Sequence, residues 1–358
     1  MKTKKESGYF DGYTDEDTGD IGAEVSGQDV IRLNAPKVIL SPDTPLLTKA
    51  QDLAGAINEL FQSGSGGGDE DWTPPEDWLP VPEPGDYEIY LLVDIVDVSS
   101  TNLGFALSRP VDAGTGYDSL TIDWGDGTIQ SWLGSENGGT SWSQSDTIHT
   151  YTAIGQYIVK IVASAGSCFL QRITPTGNPE SKVLIAKLGR EIVVNNDSIS
   201  GGTDHTQRAF YRQSRLHYVK LGGKGGLPRD HGFHNCYVLR KVEIAIPPTI
   251  IPSQTFVYCY NLKKFDFSEV TEIANSGLYY SYFSKLDLPK CTSIGGSGVA
   301  YCPITKEVTA PLCASIGNNG FIGDFGIEKA VFSENCIFGT NCFQNCFSLI
   351  PRPDGSIN

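Results

Sequence analysis

Phe256-Val-Tyr-Cys259-Tyr-Asn-Leu262 decides the fold, because the chain repeats it. The same frame reads Phe233-His-Asn-Cys236-Tyr-Val-Leu239 upstream and Phe343-Gln-Asn-Cys346-Phe-Ser-Leu349 downstream. Followed through weaker copies, the cysteine slot falls at Gln213, Cys236, Cys259, Tyr280, Cys302, Asp324 and Cys346, with gaps of 23, 23, 21, 22, 22 and 22. Short alternating apolar runs keep the same step: Val242 and Ile244, Phe265 and Phe267, Leu286 and Leu288, Val308 and Ala310, Ala330 and Phe332. A second apolar lane runs Ile273, Ile294, Ile316, Phe338. Two lanes at one period define a solenoid. A unit this short holds a strand and a turn and cannot bury its apolar face alone, so neighbouring units share one core. In this frame Tyr280 and Phe283 take the Cys and Leu slots and belong to the core. Tyr279 and Tyr282 are left as exposed candidates for ligand binding.

The Phe-x-x-Cys-x-x-Leu frame is joined by Leu288-Pro289 and Ala310-Pro311 turns and by Ser-Ile-Gly at Ser293 to Gly295 and Ser315 to Gly317. It resembles the BspA-type leucine-rich repeats over roughly 140 residues, a family that occurs in bacterial surface proteins and phage structural proteins. Cysteine is small, apolar and stackable, as a buried ladder position requires. The nine cysteines, most of them at equivalent solenoid positions, read as buried thiols rather than staples, which suits a reducing cytosol.

Charge is uneven. The formal net charge is −15, yet residues 1–171 hold 8 basic against 27 acidic side chains and residues 172–358 hold 19 against 15. An acidic front half argues against nucleic acid, whose phosphates need basic surface. Met1-Lys-Thr-Lys-Lys leads into acidic residues without an apolar core, so no secretory signal is expected there. No apolar run reaches membrane-spanning length, so no membrane insertion is expected.

Residues 1–61 read as an anchoring segment. Positions 1–29 are polar and acidic, with an expectation of disorder unless a partner orders them; Val30 to Leu40 alternates weakly, as a short strand does. Thr48-Lys-Ala-Gln51 reads as a capping box, and behind it Ala50, Leu53, Ile57, Leu60 and Phe61 form one apolar stripe on a helix over 48–61. So short a helix is marginal alone and must pack on its own chain, on a second copy or on a particle. The wording Leu47 to Leu60 resembles N-terminal segments of phage virion proteins. Residues 62–86, glycine-rich, then acidic, then proline-rich, read as a flexible-to-extended linker carrying Trp72 and Trp78.

Residues 87–172 alternate short strands with turns, the pattern of a β-sandwich. Asp123-Trp-Gly-Asp-Gly-Thr128, then His149-Thr-Tyr151 and Gly155-Gln-Tyr157, resemble the PKD type of immunoglobulin-like domain. Asp123 and Asp126 read as turn-capping carboxylates rather than calcium ligands, since calcium needs six or more oxygens. Residues 173–358 then hold the solenoid, with Val183 to Ile185 and Glu191 to Val194 as its capping strands. The fold class is mainly β: a short anchor helix, an immunoglobulin-like sandwich, then a solenoid of about 22-residue repeats.

His231-Gly-Phe-His234-Asn-Cys236 has ligand-like spacing for zinc, but Cys236 belongs to the repeat lane and its equivalents lack histidines. Gly222-Gly-Lys-Gly-Gly226 lacks the order of a phosphate loop. No catalytic, cofactor or metal site is expected, and none of these patterns marks an enzyme. The resemblances imply a non-enzymatic phage virion protein, a head or tail fibre made in the bacterial cytoplasm. Its N-terminus would bind capsid or tail proteins, its copies would form a homotrimer, and its solenoid would meet a glycan or protein of the host surface. A bacterial cell-surface adhesin with the same modules is the main alternative; a carbohydrate-active enzyme is a more distant one.

Overall fold

The computed structural model describes five strands within residues 2–39 by backbone alone, and residues 72–351 and 353 except 98–99, 109–118, 134–140, 143–146, 164–167, 176–180, 195–208 and 224–225. The chain divides into two units, Met1–Asp71 and Trp72–Asn358.

In the first unit, β1 (Lys2–Ser7), β2 (Phe10–Asp15), β3 (Ile21–Val25), β4 (Asp29–Asn34) and β5 (Lys37–Ile39) form an antiparallel meander in chain order. Within these strands the backbone is paired where the sequence led to an expectation of disorder. Hairpin pairing satisfies backbone donors and acceptors locally, a gain that composition does not register. The expected strand at Val30 to Leu40 corresponds to β4 and β5. The helix over 48–61, with Ala50, Leu53, Ile57, Leu60 and Phe61, lies outside the described residues.

In the second unit, two sheets face one another across a common core. Their strands are β6 (Glu88–Ile95), β7 (Asn102–Ser108), β8 (Ser119–Asp123), β9 (Ile129–Leu133), β10 (Ser141–Trp142), β11 (Ile148–Thr150), β12 (Gly155–Ala163), β13 (Cys168–Thr174), β14 (Val183–Leu188), β15 (Ile192–Val194), β16 (Tyr218–Leu221) and β17 (Lys241–Ile244). One sheet orders β17-β16-β14-β6-β12-β8-β9; the other orders β10-β7-β13-β15, with β11 also on β7. The period of two along β6 explains the layering. Ile89, Leu91, Val93 and Ile95 enter the core between the sheets, whereas Leu92 packs on the opposite face with Leu184, Ile185 and Tyr218.

That opposite face is covered by the segment expected as linker. Trp72, Trp78 and Val81 pack onto Leu92, Leu184, Ile185 and Tyr218. Trp72 stacks on His217 at 5.9 Å, Leu79 N–H donates to Gln156 Oε1 at 2.9 Å, and Lys187 Nζ donates to the Val81 carbonyl at 2.8 Å. Lys187 and Lys220 both bind Glu83 and hold its carboxyl below the usual range. Residues 72–84 are therefore a strap. Two indoles make the difference: their large apolar surface gains more from covering a sheet face than from staying extended in water.

The seven-stranded sheet also runs from the facing sheets into the solenoid. β14 pairs antiparallel with β6 and parallel with β16, and β16 pairs parallel with β17. The first coil is thus covered by a sheet, which spares it an open apolar end. Gln213 stitches the same junction, its Nε2 donating to the Ile173 carbonyl at 3.0 Å and its Oε1 accepting from Ser181 Oγ at 3.0 Å.

Further along, two parallel ladders carry the coils: β18 (Ile250–Ile251), β19 (Glu272–Ile273), β21 (Ser293–Ile294), β23 (Ser315–Ile316) and β25 (Ile337–Phe338), and β20 (Lys285–Asp287), β22 (Glu307–Ala310) and β24 (Lys329–Phe332). The solenoid holds about seven turns. Phe210, Phe233, Phe256, Leu278, Val299, Phe321 and Phe343 form its buried spine, with Phe233 and Phe256 stacked at 5.6 Å and 3°.

Candidate functional site: a tyrosine-lined face of the solenoid

The site rests on a backbone device. Among the described residues twelve non-glycine residues have positive φ, and all fall in two lanes of the solenoid: His231, Gln254, Ser276, Ser297, Asn319 and Asn341, then Arg212, Asn235, Tyr258, Tyr280, Tyr301 and Asn345. Within a coil the two lie four residues apart. The cause is a ladder of alternate donors. In one coil, Gln254, Phe256 and Tyr258 give their N–H groups to Asn275, Gly277 and Tyr279 carbonyls of the next. The left-handed residues at either end of this run bracket alternate N–H groups that all turn toward the same neighbour, so the turn is hydrogen-bonded although no strand is present.

This lane corrects the register of one coil. Tyr280 does not fill the cysteine slot; it has φ 55° and takes the left-handed position just before it. Ser281 is in the slot, fully buried, donating its hydroxyl to the Phe256 carbonyl at 3.0 Å. Cys236 and Cys259 do the same with their thiols, to the Phe210 and Phe233 carbonyls at 3.0 and 3.2 Å. Phe283 is buried as expected. No disulfide joins the described cysteines.

With the slot placed, its two flanks become lanes of their own. The preceding residue is Tyr258, Tyr280 and Tyr301 in three successive coils, at φ 61°, 55° and 58°. The following residue is Tyr237, Tyr260, Tyr282, Pro303, Phe325 and Phe347 in six. The side chain inside is buried, so both neighbours must face outward. All the tyrosines named are half-buried, as is Tyr279. Tyr280 stacks on Tyr301 at 5.0 Å and 8°, Tyr237 on Tyr260 at 5.9 Å and 13°, and Phe325 on Phe347 at 5.8 Å. Tyr258 with Tyr260 at 6.0 Å joins the two lanes, Tyr260 meets Tyr282 along one of them at 5.2 Å, and Tyr279 packs on Tyr280 at 4.8 Å. Lys263 Nζ lies 5.4 Å from the Tyr282 ring, and the Arg212 guanidinium 5.2 Å from Tyr211.

The result is an aromatic surface with phenol hydroxyls and cationic edges. Burial among its neighbours pushes Tyr260 and Tyr279 up to about 12, so these hydroxyls stay neutral at physiological pH. A bulky residue at positive φ costs about 1 kcal/mol or more. Three adjacent tyrosines hold that conformation where other coils use Arg212, Asn235, Gly323 and Asn345. The structure thus unites Tyr279 and Tyr282 with Tyr237, Tyr258, Tyr260, Tyr280 and Tyr301. The signal for the missed residues was present once the repeats are aligned on Ser281: aromatics flank the slot on both sides.

The other sequence candidates take structural places. Cys236 points inward while His231 and His234 stack on each other at 5.2 Å beside Tyr211, so the three do not converge. Among the described residues no group of three or more His, Cys, Asp or Glu is placed to hold a metal. Asp123 Oδ1 accepts Gly125 N–H and Asp126 Oδ1 accepts Thr128 N–H, both at 3.0 Å, and Asp126 Oδ2 meets His149 Nε2 at 2.8 Å. Gly125 is required there: its φ is 82°, and a Cβ would lie 2.6 Å from the Ile158 carbonyl oxygen. Trp124 is fully buried between Phe105 and His149.

No curated protein matches the chain. Among solved structures it is similar to a leucine-rich repeat protein from Bacteroides ovatus, at 16% identity and TM-score 0.37, over 50% of this chain and 52% of that one. The chain thus spans about half the length of that protein. It is also similar to a leucine-rich repeat protein of T. pallidum, at 16% identity and TM-score 0.31, over 52% of this chain and 84% of that one. A leucine-rich cell surface protein from Faecalibacterium prausnitzii follows at 13% identity and TM-score 0.27, over 52% and 78%. The model of the BspA type leucine rich repeat region matches residues 228–350 in six copies. With its lanes and coils in place, this third of the chain is similar to a BspA type leucine rich repeat region.

Proposed function

We propose that the chain is a non-enzymatic adhesive protein whose tyrosine-lined face contacts a glycan or protein on a cell surface. The observation that carries this reading is the run of Tyr258, Tyr280 and Tyr301, held at positive φ in adjacent coils and cross-packed with Tyr237, Tyr260, Tyr279 and Tyr282. Packing alone favours Asn or Gly at such positions. The rings add contact area and donors that suit sugar rings and extended peptide. Among the described residues no group of three or more His, Cys, Asp or Glu is placed to hold a metal at this face. Each contact is weak, and copy number supplies avidity.

In this reading the display is a phage virion, as a head or tail fibre. Residues 1–61 attach to capsid or tail proteins, residues 87–172 form a PKD-type immunoglobulin-like stem, and three copies associate. The leucine-rich-repeat match supports display on a bacterial cell surface at least as well. Two experiments separate these ideas. Binding of the purified chain to host cells is expected to fall at least ten-fold in a Tyr258→Ala/Tyr280→Ala/Tyr301→Ala variant whose circular dichroism is unchanged; unchanged binding removes the face from the proposal. Electron microscopy with an antibody against residues 175–358 then places the label on phage projections or on bacteria. Loss of particle label after deletion of residues 1–62 supports the anchor, and normal incorporation refutes it.

A further inference from the structure

A second concave site lies away from the tyrosines, where the strap meets the junction of the facing sheets and the solenoid. It is a cavity of about 460 Å³ lined by Trp78, Asp94, Val96, Leu184, Ser214, Arg215, His217 and Val238. Two of its polar atoms are buried and lack a hydrogen-bond partner, Ser214 Oγ and His217 Nδ1. Ser214 is only 5% exposed. An orphaned buried polar atom is costly, and both of these belong to residues that line the same cavity. Val96, 58% exposed, keeps its rim open.

The charges around it narrow the ligand. Arg215 donates from Nη1 to the Asp94 carbonyl at 3.1 Å and from Nη2 to Asp94 Oδ2. A guanidinium carries five N–H donors, so Asp94 engages two and fixes the plane of the rest. Arg240 adds a second positive charge close to His217. Burial together with these two arginines holds His217 down to about 4, so its ring is neutral at physiological pH. Within the lining Arg215 is paired with Asp94, and Arg240 beside His217 adds a further positive charge. Trp78 stands against His217 edge to face at 5.0 Å and supplies an aromatic wall.

We propose that this cavity binds a sugar acid, its ring against Trp78 and its carboxylate toward Arg215 and Ser214. A planar carboxylate matches the guanidinium fork, ring hydroxyls reach Ser214 and His217, and the apolar ring face meets the indole. The site does not depend on the tyrosine face for its chemistry.

The test is calorimetric titration of the full chain with glucuronate and N-acetylneuraminate, and with glucose as the neutral probe. Saturable binding of at least one acid, with glucose at least about ten-fold weaker, is expected. Ser214→Val removes one hydroxyl and fills the space with a similar side chain; it is expected to weaken binding by about ten-fold. Tyr280→Ala is expected to leave binding unchanged, which separates this site from the adhesive face. Trp78→Phe keeps an aromatic ring in the strap and is expected to lower affinity. Absence of binding by both acids overturns the proposal, and so does equal binding of glucose or a Ser214→Val variant that binds like the parent.

Discussion

At the scale of single residues, the informative positions are those where one coil departs from its neighbours. Asp324 stands where Cys236, Cys259, Cys302 and Cys346 stand in other coils, and it is fully buried. Its Oδ1 accepts the Cys302 N–H at 2.5 Å, while Oδ2 is without a partner. Burial pushes this carboxyl well above its ordinary range. The folded chain thus keeps a proton that the unfolded chain releases above about pH 4. Stability is fully present below that pH and is lost as pH rises toward the folded-state value. Asp324→Asn keeps the acceptor and cannot ionise. Its thermal melt should coincide with the parent near pH 4 and exceed it at pH 8, by about 1–3 kcal/mol. A parent melting temperature that is flat over this range contradicts the neutral carboxyl. Gly323, in the left-handed lane at φ 75°, is a second such position: a Cβ there would lie 2.5 Å from the Tyr301 ring. Gly323→Ala should cost about 1–2 kcal/mol in denaturant unfolding. Part of that cost should return in a Tyr301→Ala background. If it does not, the ring is not the obstacle.

At the scale of elements, a coil is specified by what it buries, and the lanes of buried residues were legible in the linear pattern. Ile273, Ile294 and Ile316 are buried at the positions their spacing implied, each within a ladder strand, and Phe338 closes the same ladder half-buried. The coil around Tyr280 was misread because its spacing is one residue short and Phe, Tyr and Ser all fit the local frame. Hydrogen bonding decides it, since a serine hydroxyl reaches the Phe256 carbonyl as a cysteine thiol does. Ser281→Cys should therefore be nearly neutral, within about 0.5 kcal/mol in thermal unfolding. A loss above about 2 kcal/mol would return Tyr280 to the slot.

At the scale of the whole molecule, the junction governs stability. The facing sheets and the solenoid share β14 and β16, and the strap covers Leu92, Leu184, Ile185 and Tyr218 beside it. Removing residues 1–71 should leave a folded fragment with an unchanged melting temperature. Removing residues 1–86 takes Trp72, Trp78, Val81 and Glu83 as well. That should cost at least about 3 kcal/mol, because two indoles and an aliphatic side chain leave an apolar face open. Dye binding to exposed apolar surface is expected for the shorter fragment alone. Equal melting of the two fragments would show that the strap is dispensable.

The sequence by itself determined the period, the buried lanes and the turn chemistry of Asp123 to Thr128, because each depends on residues close in the chain. Only the tertiary structure decided the rest. The strap's place on the sheet, the covering of the first coil by β6 and β14, and the cavity between Trp78 and Ser214 join segments tens to more than a hundred residues apart. The tyrosine face needs several coils in register before its rings become neighbours. Local pattern says which side chains avoid water; what they meet depends on which backbone passes opposite.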